Sequence, residues 1–99
     1  LALHRGRKNR QRLDIIEDIL IAALDGEVKT HITNKTNLTH TTTELYLEDL
    51  MAADLIEAVG EKKWGAMYRT TQKGVRFLST IRAMRELLGE SPGRHTDKG

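Results

Sequence analysis

His31 and His40 stand nine residues apart, and no Cys exists anywhere in the chain. A metal centre needs several His, Cys or acidic ligands at ligand spacing, and neither histidine has such company, so neither a metal nor a cofactor is expected. Ser79 falls inside a helical pattern and Ser91 in a polar tail, neither beside a base. No nucleophile elbow, phosphate-binding glycine loop or dinucleotide fingerprint is present. The residues therefore point away from an enzyme. Asn34-Lys-Thr and Asn37-Leu-Thr match glycosylation acceptors, but they read as coincidental Thr-rich sequence.

What the chain does offer is segregated charge. Residues 1–12 carry +5, residues 13–60 carry −8 and residues 61–99 carry +5, giving the overall +2. Basic ends around an acidic middle suit a polyanion partner reached through those ends; solvated tails that bind nothing are the alternative.

The 99 residues are enough for one domain. With 38% hydrophobic and 30% charged residues, the composition is too apolar for wholesale disorder. No apolar run approaches a membrane span, so no membrane partner is expected. The start is basic without a long apolar stretch after it, unlike a signal peptide. The absence of Cys excludes a disulfide scaffold and agrees with a reducing, cytoplasmic setting.

The elements that must position these groups follow from periodicity. Residues 1–8 read as a flexible basic arm. A first helix starts near Asn9, with Leu13, Ile16, Leu20, Ala23 and Leu24 at helical steps, and Gly26 ends it. Glu27-Val28-Lys29 reads as a short strand. Thr30 caps a brief second helix with Ile32 inward, and Asn37 makes a left-handed turn above Leu38. Thr39 caps a third helix to about Ala53, with Thr43, Leu47, Leu50 and Met51 inside. Leu55–Val59 and Ala66–Thr70 form a hairpin around a glycine-bounded loop. Thr71 caps a last helix to Leu88, Gly89 stops it, and residues 89–99 read as a disordered tail. The class is α+β, mostly α, and the tight turn between helices two and three is a helix-turn-helix signal.

Three stretches in this order resemble the winged helix-turn-helix family over roughly residues 9–88. Thr30–Thr39 is similar to its second helix and turn. Leu47-Glu-Asp-Leu-Met-Ala-Ala-Asp-Leu-Ile56 is similar to its exit from the third helix, with Asp54 in place of the usual Gly. Tyr68-Arg-Thr-Thr-Gln-Lys-Gly-Val-Arg-Phe-Leu78 resembles the passage from wing to last helix, with Thr70 in place of Leu. Within the family the chain looks most like the small archaeal winged-helix proteins, which resemblance implies a homodimer paired through the last helix. It divides the chain into an arm (1–8), a winged domain (9–70), a dimerisation helix (71–88) and a tail (89–99).

The resemblance implies double-stranded DNA as the partner and transcriptional regulation or chromatin association as the role. His40, Thr41, Thr42, Leu45 and Tyr46 are then the groove-reading candidates on the third helix. Capping chemistry alone is the competing account of the threonines. Glu44, Glu48 and Asp49 on the same helix oppose phosphate attraction. Lys62 and Lys63 at the wing tip suit phosphates or a minor groove, and Trp64 beside them either wedges or covers the hairpin. Lys29, His31 and Lys35 flank the second helix, where the family crosses the backbone. Arg5, Arg7, Lys8 and Arg10 suit an adjacent minor groove. Phe77, Ile81, Met84 and Leu88 follow a 4-3-4 seam for a second copy, with an intramolecular core as the alternative. The rival function is a protein-interaction module whose acidic third helix meets a basic partner. A ligand-sensing regulator is a weaker third reading, since the chain leaves no room for a separate sensor domain.

Overall fold

The computed structural model describes residues 2–60 and 65–89, with residues 2–10 described by backbone alone. The order is α1 (Ala2–Ala22), β1 (Glu27–Val28), α2 (Lys29–Thr36), α3 (His40–Ala52), β2 (Ile56–Val59), β3 (Met67–Thr70) and α4 (Gln72–Leu87). The class is α+β and mostly helical, as the pattern predicts. Among the described residues, no helix is long and apolar enough to cross a membrane.

Helix α1 starts at Ala2 rather than near Asn9, so the segment expected as a flexible arm continues the helix. Ala, Leu, Arg and Lys dominate it, no Pro interrupts it, and a helix nucleated by its buried half extends cheaply into such sequence. Helix α2 also departs from expectation. Its N-cap is Val28, without a side-chain cap bond, and Thr30 lies inside the helix. Strand β1 runs straight into α2, which leaves no turn for Thr30 to cap. The tail from Glu90 lies outside the described residues, as does the wing tip from Glu61 to Trp64.

The other local signals are observed. Asn37 adopts φ 59° and Asp54 φ 65°, the left-handed conformation that short polar side chains tolerate. The Leu38 N–H bonds the Thr33 carbonyl at 3.1 Å and closes the turn between α2 and α3. Thr39 Oγ1 accepts from the Thr42 N–H, and Thr71 Oγ1 from the Gly74 N–H, capping α3 and α4.

The sheet order is β1-β3-β2, antiparallel throughout. Ile56 faces Thr70 and Val59 faces Met67, so β2 and β3 form the two sides of the wing. The core joins Ile19, Leu20 and Ala23 of α1 and its end to Ile32, Leu47, Leu50, Leu55, Ile56 and Leu78. Thr43 is fully buried at the crossing of α2 and α3. It donates to the Thr39 carbonyl at 3.0 Å and lies 2.9 Å from Thr33 Oγ1, so its hydroxyl is satisfied where water cannot reach.

Thr70, where the family pattern has Leu, exchanges apolar area for a cap. Its hydroxyl donates to the Leu20 carbonyl at 2.7 Å, and its N–H to the Ala23 carbonyl at 3.0 Å. Leu20 lies in the last turn of α1, whose carbonyls lack helical partners, and Ala23 just past its end, where its carbonyl also accepts the Gly26 N–H. Thr70→Val keeps the shape and orphans the Leu20 carbonyl. It should lower stability by about 1–2 kcal/mol, a Tm drop of roughly 5–10 °C, while Thr70→Ser should keep most of it. A Thr70→Val melt that overlays the wild type would contradict this role.

Candidate nucleic-acid interface

Along the chain, helix α3 lies between the turn at Asn37 and the wing. Its inward stripe is Thr43, Leu47 and Leu50. His40, Thr41, Glu44, Leu45, Glu48 and Asp49 are exposed. Leu45 is 58% exposed on this face.

Two expected groove readers also have partners within the fold. Thr42 belongs to the cap: Thr39 Oγ1 lies 2.9 Å from its hydroxyl and accepts from its N–H at 3.2 Å. Tyr46 is half-buried and packs against the core, with the Arg12 guanidinium 6.0 Å above its ring. That spacing is the outer reach of a cation–π contact. Position 46 is set about 100° around the helix from Leu45, which turns it towards α1. His40, Thr41 and Leu45 remain on the open face.

The cations around α2 are present but occupied. Lys29 Nζ meets Glu44 Oε2 at 2.5 Å, tying the start of α2 to α3. His31 Nδ1 lies 2.9 Å from Glu27, and Lys35 Nζ lies 3.4 Å from the same carboxylate. A phosphate must exchange with these carboxylates. The Lys29–Glu44 pair also removes one of the three acidic obstacles on α3 that composition alone raises. Glu48 and Asp49 keep theirs.

The hydrogen bond to Glu44 raises the Lys29 pKa, and the bond and charge of Lys29 hold Glu44 below the ordinary carboxylate value of 4.5. Desolvation pushes Glu27 upward, but the bonds and charges of His31 and Lys35 outweigh it and leave its pKa lowered. Carboxylates depressed in the folded state add stability above their unfolded pKa, and that stability is lost as pH falls through the lower folded value. The window is therefore below about pH 4.5. Urea midpoints at pH 7 and pH 3.5 should fall less for Glu27→Gln/Glu44→Gln than for wild type. Equal falls in both would contradict the pairing.

On the wing, Arg69 sits opposite Glu57 and bonds Oε2 through Nη2 at 3.0 Å and Nε at 3.3 Å. Gly60 and Gly65 take φ of 91° and 88° on either side of the loop tip. Lys62, Lys63 and Trp64 belong to that tip, outside the described residues. Arg5, Arg7, Lys8 and Arg10 fall within the backbone of α1, with side chains outside the description.

Helix α4 divides its expected seam. Ile81 is 2% exposed and belongs to an inward face with Gly74, Leu78 and Arg85, so it is committed to its own chain. These four positions also follow a 4-3-4 spacing, which a search for apolar residues passes over because Gly and Arg hold two of them. Phe77 is half-buried beside the core, while Met84 and Leu88 are exposed. Leu87 and Leu88 are 87% and 72% exposed, the two largest such values among the large apolar side chains of the described residues. Sequence reading missed Arg85, which contacts Asp14 and lies 3.0 Å from Glu17 on α1.

Among the described residues, no group of three or more His, Asp or Glu is placed to hold a metal ion.

The family model described as winged helix-turn-helix matches residues 9–89. Comparison with curated proteins gives no significant match. Among solved structures, the chain is similar to the transcriptional regulator BldR from Sulfolobus solfataricus, with TM-score 0.62 and 17% identity over 80% of this chain and 63% of that one. A MarR-family transcriptional regulator from Silicibacter pomeroyi gives TM-score 0.61 and 17% identity, covering 87% and 64%. A MarR-family protein from Bacillus stearothermophilus gives 0.59 and 16%, covering 94% and 73%. The chain thus spans less than two thirds of the length of the first two. At these identities the likeness is one of fold.

Proposed function

Because the chain belongs to the winged helix-turn-helix family, we propose that it binds double-stranded DNA as a transcriptional regulator. It acts by binding rather than by catalysis. The single observation that carries the reading is the exposed face of α3, with His40, Thr41 and Leu45 open to a groove and Glu44 neutralised by Lys29. Transcriptional regulators among the structural neighbours support the same role.

In this reading α3 enters the major groove and the wing lysines neutralise phosphates beside it. Helix α2 crosses the backbone, where phosphates take His31 and Lys35 from Glu27 while Lys29 stays on Glu44. The basic start of α1 adds salt-dependent attraction. Two copies pair through the flank of α4 (Phe77, Met84, Leu87 and Leu88), which covers the most exposed leucines of the described residues and doubles the contact with DNA. Ile81 stays inside each copy.

Replacing Lys62 and Lys63 by Ala tests the wing. Each phosphate contact adds roughly 0.9 to the slope of log affinity against log salt. The double variant should flatten that slope by about 2 and weaken all duplexes similarly. Fluorescence anisotropy with a random duplex across a salt series reads both quantities. An unchanged slope would remove the wing from the interface.

A further inference from the structure

Helix α3 contains no Lys, Arg, Asn or Gln. The pairings of Arg or Lys with guanine and of Asn or Gln with adenine are therefore closed to it. Its outward side chains suit pyrimidines instead. Thr41, Glu44, Leu45 and Glu48 are all exposed and follow an i, i+3, i+4, i+7 spacing opposite Thr43, Leu47 and Leu50. Helices that lie in a major groove use that spacing to put four side chains on base edges. At 1.5 Å per residue the four span about 10 Å, within the reach of a few base pairs.

The two carboxylates of this set differ. Glu44 is held by Lys29 at 2.5 Å, directed back to α2. No ion pair or hydrogen bond engages Glu48 among the described residues. A carboxylate on a base edge accepts from the cytosine N4 amine, whereas guanine O6 and N7 and thymine O4 present acceptors that repel it, and adenine sets the acceptor N7 beside its N6 amine. The surrounding phosphates repel it as well, so a wrong base leaves the charge desolvated and unpaired. Such a group discriminates through the penalty against wrong sites more than through added affinity. Leu45 and the Thr41 methyl group, one and two turns away, suit the thymine methyl.

We propose that Glu48 is a specificity-determining residue that accepts a hydrogen bond from a cytosine N4 amine, beside thymine methyls contacted by Leu45 and Thr41. This rests on the DNA-binding reading above and names the bases that α3 selects.

The test is selection of bound sequences from a randomised duplex pool by the whole chain, as wild type, Glu48→Ala and Glu48→Gln. Wild type should enrich a fixed cytosine with neighbouring thymine. Glu48→Ala should lose the preference at that position alone, by about tenfold. Glu48→Gln should shift the preference there towards adenine, the base that Gln reads. Base preferences unchanged in both variants, or wild-type binding without sequence preference, would overturn the assignment and leave DNA binding standing. A wild-type chain that retains no duplex even at low salt would remove the DNA-binding reading and this assignment together.

Discussion

Arg85→Met should lower the stability of the fold by about 3–5 kcal/mol, the cost of removing one partner from a buried ion pair. The Arg85 side chain is 8% exposed and contacts Asp14 and Glu17, whose side chains are 33% and 15% exposed. The guanidinium spans two acids one helical turn apart on α1, which a single ammonium does less well. Without it, the poorly hydrated Glu17 carboxylate loses its partner, and α4 loses its polar link to α1. For a domain whose whole stability is of order 5–15 kcal/mol, that is a large fraction. Arg85→Lys should fall between. Replacing the whole set, with Asp14→Asn, Glu17→Gln and Arg85→Met together, should recover much of the loss, because no charge is then stranded. Urea midpoints compare the four chains. A single Arg85→Met variant as stable as wild type would show that the network adds nothing to the packing of α4.

Gly74→Ala is the second. A Cβ at position 74 would lie 2.4 Å from the Leu55 carbonyl oxygen and 2.6 Å from Thr70 Cγ2. The first of these is backbone, and it already accepts the Thr71 N–H at 3.0 Å, so it cannot retreat freely. Gly74 is therefore what lets the first turn of α4 rest on the junction of α3, β2 and β3. Ala normally stabilises a helix relative to Gly by up to about 1 kcal/mol. Here overpacking should outweigh that and give a net loss of about 1–3 kcal/mol, with a Tm lower by roughly 10 °C. The sign decides the matter: a Gly74→Ala chain that melts higher than wild type would mean that the contact relaxes.

Much of the scaffold was legible in the sequence because its signals are local. Thr39 and Thr71 cap helices through bonds to residues three positions on. Asn37 and Asp54 mark positive φ because few other residues accept it. Gly60 and Gly65 bracket the wing for the same reason. The contacts that were not legible join distant residues. Thr70 and Leu20 are 50 positions apart, Arg85 and Asp14 are 71 apart, and Lys29 reaches Glu44 across 15. Local periodicity carries no information about such pairs.

The same reason divides the two expected roles of α4. A seam of Phe77, Ile81, Met84 and Leu88 follows from apolar spacing, but the buried face includes Gly74 and Arg85, which no hydrophobicity pattern marks. Ile81 goes with that face, and the exposed residues shift to its flank. On α3, composition alone registers three acids as an obstacle to DNA. The fold separates them into Glu44, tied to Lys29, and Glu48 and Asp49, left at the surface. The helix start at Ala2 was missed because a run of cations without apolar periodicity reads as an arm, although most of its residues, Gly6 apart, are adequate or good helix formers.

Sedimentation velocity at low salt, on the whole chain with and without a labelled random duplex, reads pairing and DNA binding together. The free protein should sediment at twice the chain mass, and a faster boundary should carry both protein and duplex. A chain that sediments as a single copy and leaves the duplex at its free rate, at micromolar protein, would contradict both the pairing through α4 and the reading of α3 and the wing as a DNA-binding face.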